Sequence, residues 1–164
     1  PGAFQIPLKP ILWRKQMEDL KNNVVVAYAI GATLSGTTPA KGNIVDLQGA
    51  ESATFAFCTG TVTDAGTASG FACEIQESDT TADADFTAVA DADLIGLESA
   101  LTVTLDTYDN KPVGAIGYRG SKRYVRCVWT GTTGTDATIN GLALVSHLNV
   151  RPPAATIAAN IAAT

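Results

Sequence analysis

The chain has 164 residues, of which 46% are hydrophobic and 16% charged, with a formal net charge of −5. That length suits one domain, no apolar run approaches the ~18–20 residues of a membrane span, and an acidic body repels phosphate, which argues against nucleic-acid partners. The charged fraction is below the ~25% usual for globular domains, and the resulting Thr, Ala, Ser and Gly surface suits either cover by neighbours in an assembly or a plain Thr-rich β-domain.

Residues 1–12 cannot be regular, because Pro1, Pro7 and Pro10 forbid a helix and interrupt any strand ladder. Phe4, Ile6, Leu8, Ile11, Leu12 and Trp13 are nonetheless too apolar to stay in water. An extended arm lying on a surface satisfies both facts, and the surface of a neighbouring subunit is favoured over the arm's own. Residues 13–20 suit one or two helical turns. Residues 24–30 form a strand by β-branched content. Residues 31–43 are a loop, 44–47 a short strand and 48–51 a turn. Residues 53–58 alternate Phe55 and Phe57 with small residues, and 63–70 read as a loop. In 71–77, Phe71, Cys73 and Ile75 alternate with Ala72, Glu74 and Gln76, the pattern of a half-buried antiparallel strand.

An acidic loop follows at 78–85, then a short strand at 86–90, a turn at 91–96, a strand at 101–105 and a turn at 108–112. Residues 113–118 and 124–129 read as a strand pair joined by a basic turn. Val125, Cys127 and Trp129 give the second strand a core face; Tyr124, Arg126 and Val128 make its other face mixed. Residues 131–136 are a loop and 137–148 are long, apolar and β-rich. Arg151-Pro152-Pro153 ends that strand, and an Ala-rich tail follows, a frayed helix or a second arm. Eight or nine strands at spacings of ~8–12 residues are the signature of a β-sandwich or barrel. The chain divides into an N-terminal arm (1–23), a β-domain (24–150) and a C-terminal tail (151–164).

No set of residues points to catalysis. Cys58, Cys73 and Cys127 are odd in number and lack CxxC spacing, so buried free thiols are expected, as in a protein made in a reducing cytosol. No signal peptide is visible, and a first residue of Pro1 suits removal of an initiator Met. Asp83-Ala84-Asp85 has the alternation of a calcium loop but not its glycine or closing glutamate, so a solvated loop is the better reading. His147 is the single histidine and is read as structural. Carboxylates are plentiful in 74–106, but few aromatics are present to line a sugar cleft. No phosphate-binding glycine loop precedes a helix. The expectation is a non-enzyme with no cofactor and no metal.

Charge is distributed unevenly. Residues 42–110 hold thirteen acidic residues and no Lys or Arg, whereas residues 111–164 hold six basic residues and one acidic. Four of those six are Arg119, Lys122, Arg123 and Arg126. Such a division favours complementary contacts, either within the chain or between copies. Arg119, Lys122 and Arg123 are therefore candidate subunit contacts, as are Phe4, Ile6, Leu8 and Trp13 of the arm. The alternative for the basic turn is a solvated hairpin paired with acids on an adjacent strand.

The phrases Asp46-Leu47-Gln48-Gly49-Ala50-Glu51-Ser52-Ala53-Thr54-Phe55, Glu74-Ile75-Gln76-Glu77-Ser78-Asp79, Ala90-Asp91-Ala92-Asp93-Leu94-Ile95-Gly96 and Gly117-Tyr118-Arg119-Gly120-Ser121-Lys122-Arg123-Tyr124-Val125-Arg126 resemble small structural proteins of tailed-bacteriophage heads. The resemblance is nearest to the capsid decoration, or cement, proteins of β-sandwich or jelly-roll type, and it covers residues 44–148. It implies an all-β domain of about eight strands with extended terminal arms. It also implies a virion location on the capsid surface, a homo-oligomer with a trimer favoured, and the major capsid protein as partner. Two other classes stay open: another virion part, such as a tail or head-fibre base, and a carbohydrate-binding β-sandwich for host attachment. A glycan binder needs exposed aromatics, for which Tyr108, Tyr118 and Trp129 are the candidates.

Overall fold

The computed structural model describes residues 23–66 and 70–146. Within them lie eleven strands: β1 (Val25–Leu34), β2 (Ala40–Lys41), β3 (Val45–Asp46), β4 (Ser52–Asp64), β5 (Phe71–Ser78), β6 (Thr87–Ala88), β7 (Leu94–Ile95), β8 (Thr102–Val103), β9 (Pro112–Tyr118), β10 (Tyr124–Gly131) and β11 (Asp136–Ser146). All pair antiparallel. β1 pairs with β11, β2 and β3 with β10, β4 with β9, and β5 with β6 and β8. These pairings describe one long hairpin. Rolling that hairpin lays β11 against β4 and β10 against β5. Two sheets result. The first has the order β1-β11-β4-β9-β7; the second runs β2-β10-β5-β6, with β3 beside β10 and β8 beside β5. With β2 and β3 counted as one strand and β6 and β8 as another, eight strands follow the jelly-roll order and β7 adds an edge beside β9, giving a two-sheet all-β sandwich.

The core lies between the sheets. Phe55, Ile116, Tyr118, Val145 and Ile139 enter from the first sheet; Phe71, Ile75, Val125, Cys127 and Trp129 enter from the second. Phe57 meets the Trp129 ring edge-on at 5.3 Å between centroids, a favoured aromatic geometry. Gly141 in β11 makes this possible, since a Cβ there would lie 2.6 Å from the Phe57 ring. At Gly70 and Gly66, φ values of 51° and 84° require glycine at the ends of the β4–β5 connection.

The expected all-β sandwich is what forms, and four local expectations are corrected. First, 113–118 and 124–129 do not pair. β9 pairs with β4 and β7, whereas β10 pairs with β5, β2 and β3 in the opposite sheet. The backbone N–H of Arg119 donates to Asp93 O and the Tyr118 hydroxyl accepts from Lys122 N, so the chain is held as it crosses between sheets. Second, the expected loop at 31–43 holds the end of β1 and all of β2, while the mixed face of β10 buries Arg126 and Val128. Third, β4 continues to Asp64, into the expected loop, because β11 pairs with it as far as Asp136. Fourth, Cys58 is exposed; only Cys73 and Cys127 are buried, all three as free thiols. The arm with Phe4, Ile6, Leu8 and Trp13, the tail and His147 lie outside the described residues.

Candidate interaction surfaces

The basic turn between β9 and β10 is bound to its own chain. Arg119 donates from Nε and Nη2 to the carbonyl of Ala92. Lys122 pairs with Asp79. Arg123 grips Asp46 with two hydrogen bonds, Nε to Oδ1 at 2.9 Å and Nη2 to Oδ2 at 2.7 Å, and also reaches Gln48. Asp46 is buried. Burial pushes its carboxyl up, but the Arg123 guanidinium and the Gln48 N–H outweigh this and hold it below the usual carboxylate range. Tyr118 ties the turn to the core: its hydroxyl donates to Glu77 Oε2 at 2.6 Å, and Gly120 leaves room for its ring. The acidic stretch that the charge map set against this turn is thus, for Lys122 and Arg123, the chain's own.

Around Arg126 the outer face of the second sheet is also covered from within, although Ala72, Glu74 and Thr130 on that face stay exposed. Arg126 projects outward from β10 yet is only 5% exposed. Its guanidinium bonds Gln76 and Asp83 and stacks 4.1 Å from the Phe86 ring centroid. Asp83 also pairs with Lys41 of β2. The segment between β5 and β7, with short 3-10 turns at Asp83–Asp85 and Asp91–Asp93, therefore folds over the sheet as a cover. Asp83 and Asp85, weighed earlier for calcium, are committed to these contacts, Asp85 accepting from Thr80. No cluster of three or more metal-ligating side chains occurs among the described residues. In the gap between β6 and β8 along β5, Glu98 accepts from Ile75 N.

The outer face of the first sheet is built differently. Register places Val26, Leu144, Thr54, Gly117 and Ile95 in one row across the five strands. Tyr28, Leu142, Ala56 and Ala115 form the next row, and Asn140 and Cys58 lie beyond. Not one of these side chains is charged. Val26 and Tyr28 are 55% exposed and Ile95 61%. The Tyr28 ring lies along β1 over Gly31, where a Cβ would collide with its hydroxyl. A shallow hollow of about 400 Å³ opens between Tyr28, Leu142 and Cys58. With rows of five, four and two strands, at ~4.8 Å per strand and ~6.8 Å per row, the face covers roughly 350 Å². That is within the ~300–600 Å² of the largest apolar patch on a typical monomer, a patch that is often functional.

Residue-by-residue reasoning missed this face. The signal was present: 24–30 and 137–148 are apolar at odd and even positions alike, which a strand tolerates when both its faces are to be covered. Of the three aromatics considered for sugar binding, Tyr118 and Trp129 are in the core and Tyr108 is half-buried, packed against the core. No described helix is long and apolar enough to cross a membrane. No protein-family model, no curated protein and no solved structure matches the chain.

Proposed function

We propose that this protein is a structural virion component that decorates a phage capsid and stabilises it by bridging neighbouring major capsid subunits. It would act as a small homo-oligomer, with a trimer favoured. The observation that carries this reading is the charge-free outer face of the first sheet. The chain pairs Lys122, Arg123 and Arg126 with its own acids and covers part of its second sheet with its own loop, yet leaves a charge-free face of about 350 Å², centred on Val26, Tyr28, Leu142, Leu144 and Ile95, bare. A patch of that size is often functional, and burial against protein in an assembly is the use proposed for it. The jelly roll is an architecture that viral shells use, though it also serves lectins and cupins, so the resemblance of the phrases in residues 44–148 to decoration proteins selects among its uses. Decoration works by burying modest areas across many symmetry-related joints, where repeated weak contacts add.

The test is co-sedimentation of purified protein with capsids of the source phage that lack it. Stoichiometric pelleting, together with a raised capsid melting temperature, is expected. Protein that stays in the supernatant beside intact capsids would refute the reading.

A further inference from the structure

We infer that the bare outer face of the first sheet is the seat for residues 4–12 of a neighbouring copy of this chain. The pairing rests on the assembly reading above but not on which shell the assembly joins. The arm suits the face chemically. Residues 1–13 carry one charged side chain, Lys9, against six large apolar ones. Pro7 and Pro10 exclude a helix and interrupt any strand ladder there, which suits an extended segment. Nine extended residues span about 30 Å, enough to cross the roughly 24 Å width of the five strands.

Two copies packed face to face would bury only about 700 Å² in total, short of the ~1,200–2,000 Å² of stable interfaces. In a head-to-tail exchange each copy takes part in two contacts, one through its face and one through its arm.

Order along the chain decides between a neighbour's arm and the chain's own. Residue 23 stands at the Val25–Val145 end of the sheet, beside the row of Val26 and Leu144. A chain folding back from there would first lay residues 14–22 on the face. Those residues hold Arg14, Lys15, Glu18, Asp19 and Lys21. They take up about 30 Å when extended and about 13 Å as helical turns, against a face roughly 20 Å long. The charges would then sit on the charge-free rows, and Phe4, Ile6 and Leu8 would overshoot them. Passing the arm to the next copy turns the charged stretch into a spacer between domains. Such a head-to-tail exchange closes into a ring when the rotation permits.

The test uses a thiol placed in the middle of the face. A reporter copy carries Ala56→Cys and Cys58→Ser, with Phe4→Asp, Ile6→Asp and Leu8→Asp to disable its arm. Its two remaining cysteines are buried. Co-expressed with a large excess of a Cys58→Ser copy, so that almost every neighbour brings an intact arm, the reporter thiol should react with maleimide about tenfold more slowly than alone, the slowing expected if the face is covered about nine-tenths of the time. Circular dichroism establishes that each variant is folded. An unchanged rate on co-expression would overturn the inference. So would a reporter slowed only when its own arm is intact, which would assign the face to the same chain. Protection by the neighbour's arm without capsid binding would leave the inference standing and sink the capsid reading instead.

Discussion

Gly141 and Phe57 give the most exacting test of the core. An alanine methyl at 141 would lie 2.6 and 2.8 Å from two carbons of the Phe57 ring and 3.1 Å from Ile30. Phe57 is buried and fixed edge-on against Trp129, so its ring cannot swing clear without losing that contact. Gly141→Ala therefore overpacks the site and should cost about 1–3 kcal/mol, offset by ~0.4–1 kcal/mol from a less flexible unfolded chain. Phe57→Ala alone should cost about 3–5 kcal/mol. In the double variant the new methyl enters vacated space, so Gly141→Ala should become neutral or stabilising, a coupling of roughly 1–3 kcal/mol. Urea unfolding of the four proteins measures the cycle. Thermal melts should agree, at ~2–4 °C per kcal/mol for a chain of this size. Additivity within about 0.5 kcal/mol would show that the two residues do not touch, and would refute the packing described between the sheets.

Three further outcomes are expected. Asp46 has a folded pKa below its unfolded value of about 3.9, so the unfolded state binds more protons between the two; its stabilisation is present above that window and is lost as pH falls through the folded pKa. Asp64 and Asp83 act in the same sense, while Glu98, pushed up by burial, acts in the opposite one. Asp46→Asn should accordingly flatten the acid limb of urea midpoints plotted against pH, and an unchanged limb would contradict the Arg123–Asp46 pairing. Cys58 alone should react with iodoacetamide in the native protein, because Cys73 and Cys127 are buried and desolvation raises both, Cys127 to about 12; mass spectrometry finding rapid double labelling would refute that. Arg123→Glu should lower the stability of the isolated chain by setting a carboxylate beside buried Asp46, whereas Arg119→Glu, which loses only bonds to a carbonyl, should do much less. Equal denaturation midpoints for the two variants would count against this ranking.

The legible parts of the fold were those fixed by local pattern. The alternation of Phe71, Cys73 and Ile75 gave β5 because one face of that strand meets the core and the other meets polar surroundings. The parts not legible depend on distant chain. Arg126 looked like surface, since nothing near it in sequence reveals that Asp83 and Phe86 fold over it from some forty residues away. The short link 119–123 looked like a hairpin turn because length alone does not distinguish a turn within one sheet from a crossing between two. The bare face was hidden for a related reason. Leu142 and Leu144 alternate with Ala143 and Val145, all apolar, so periodicity could not say which pair faces inward. The cation-rich turn was legible as a place of charge pairing, and the structure supplies partners for Lys122 and Arg123 from the acidic half of the same chain.

The central claim, the proposal that this jelly roll is a shell-binding building block, is tested most directly by electron cryomicroscopy of virus-like particles isolated from the chain's source. The account predicts density for the β1–β11 sandwich on the outer capsid face, in small symmetric clusters that straddle joints between major capsid subunits. A fully mapped shell without that density, beside soluble protein that does not pellet with capsids, would contradict it.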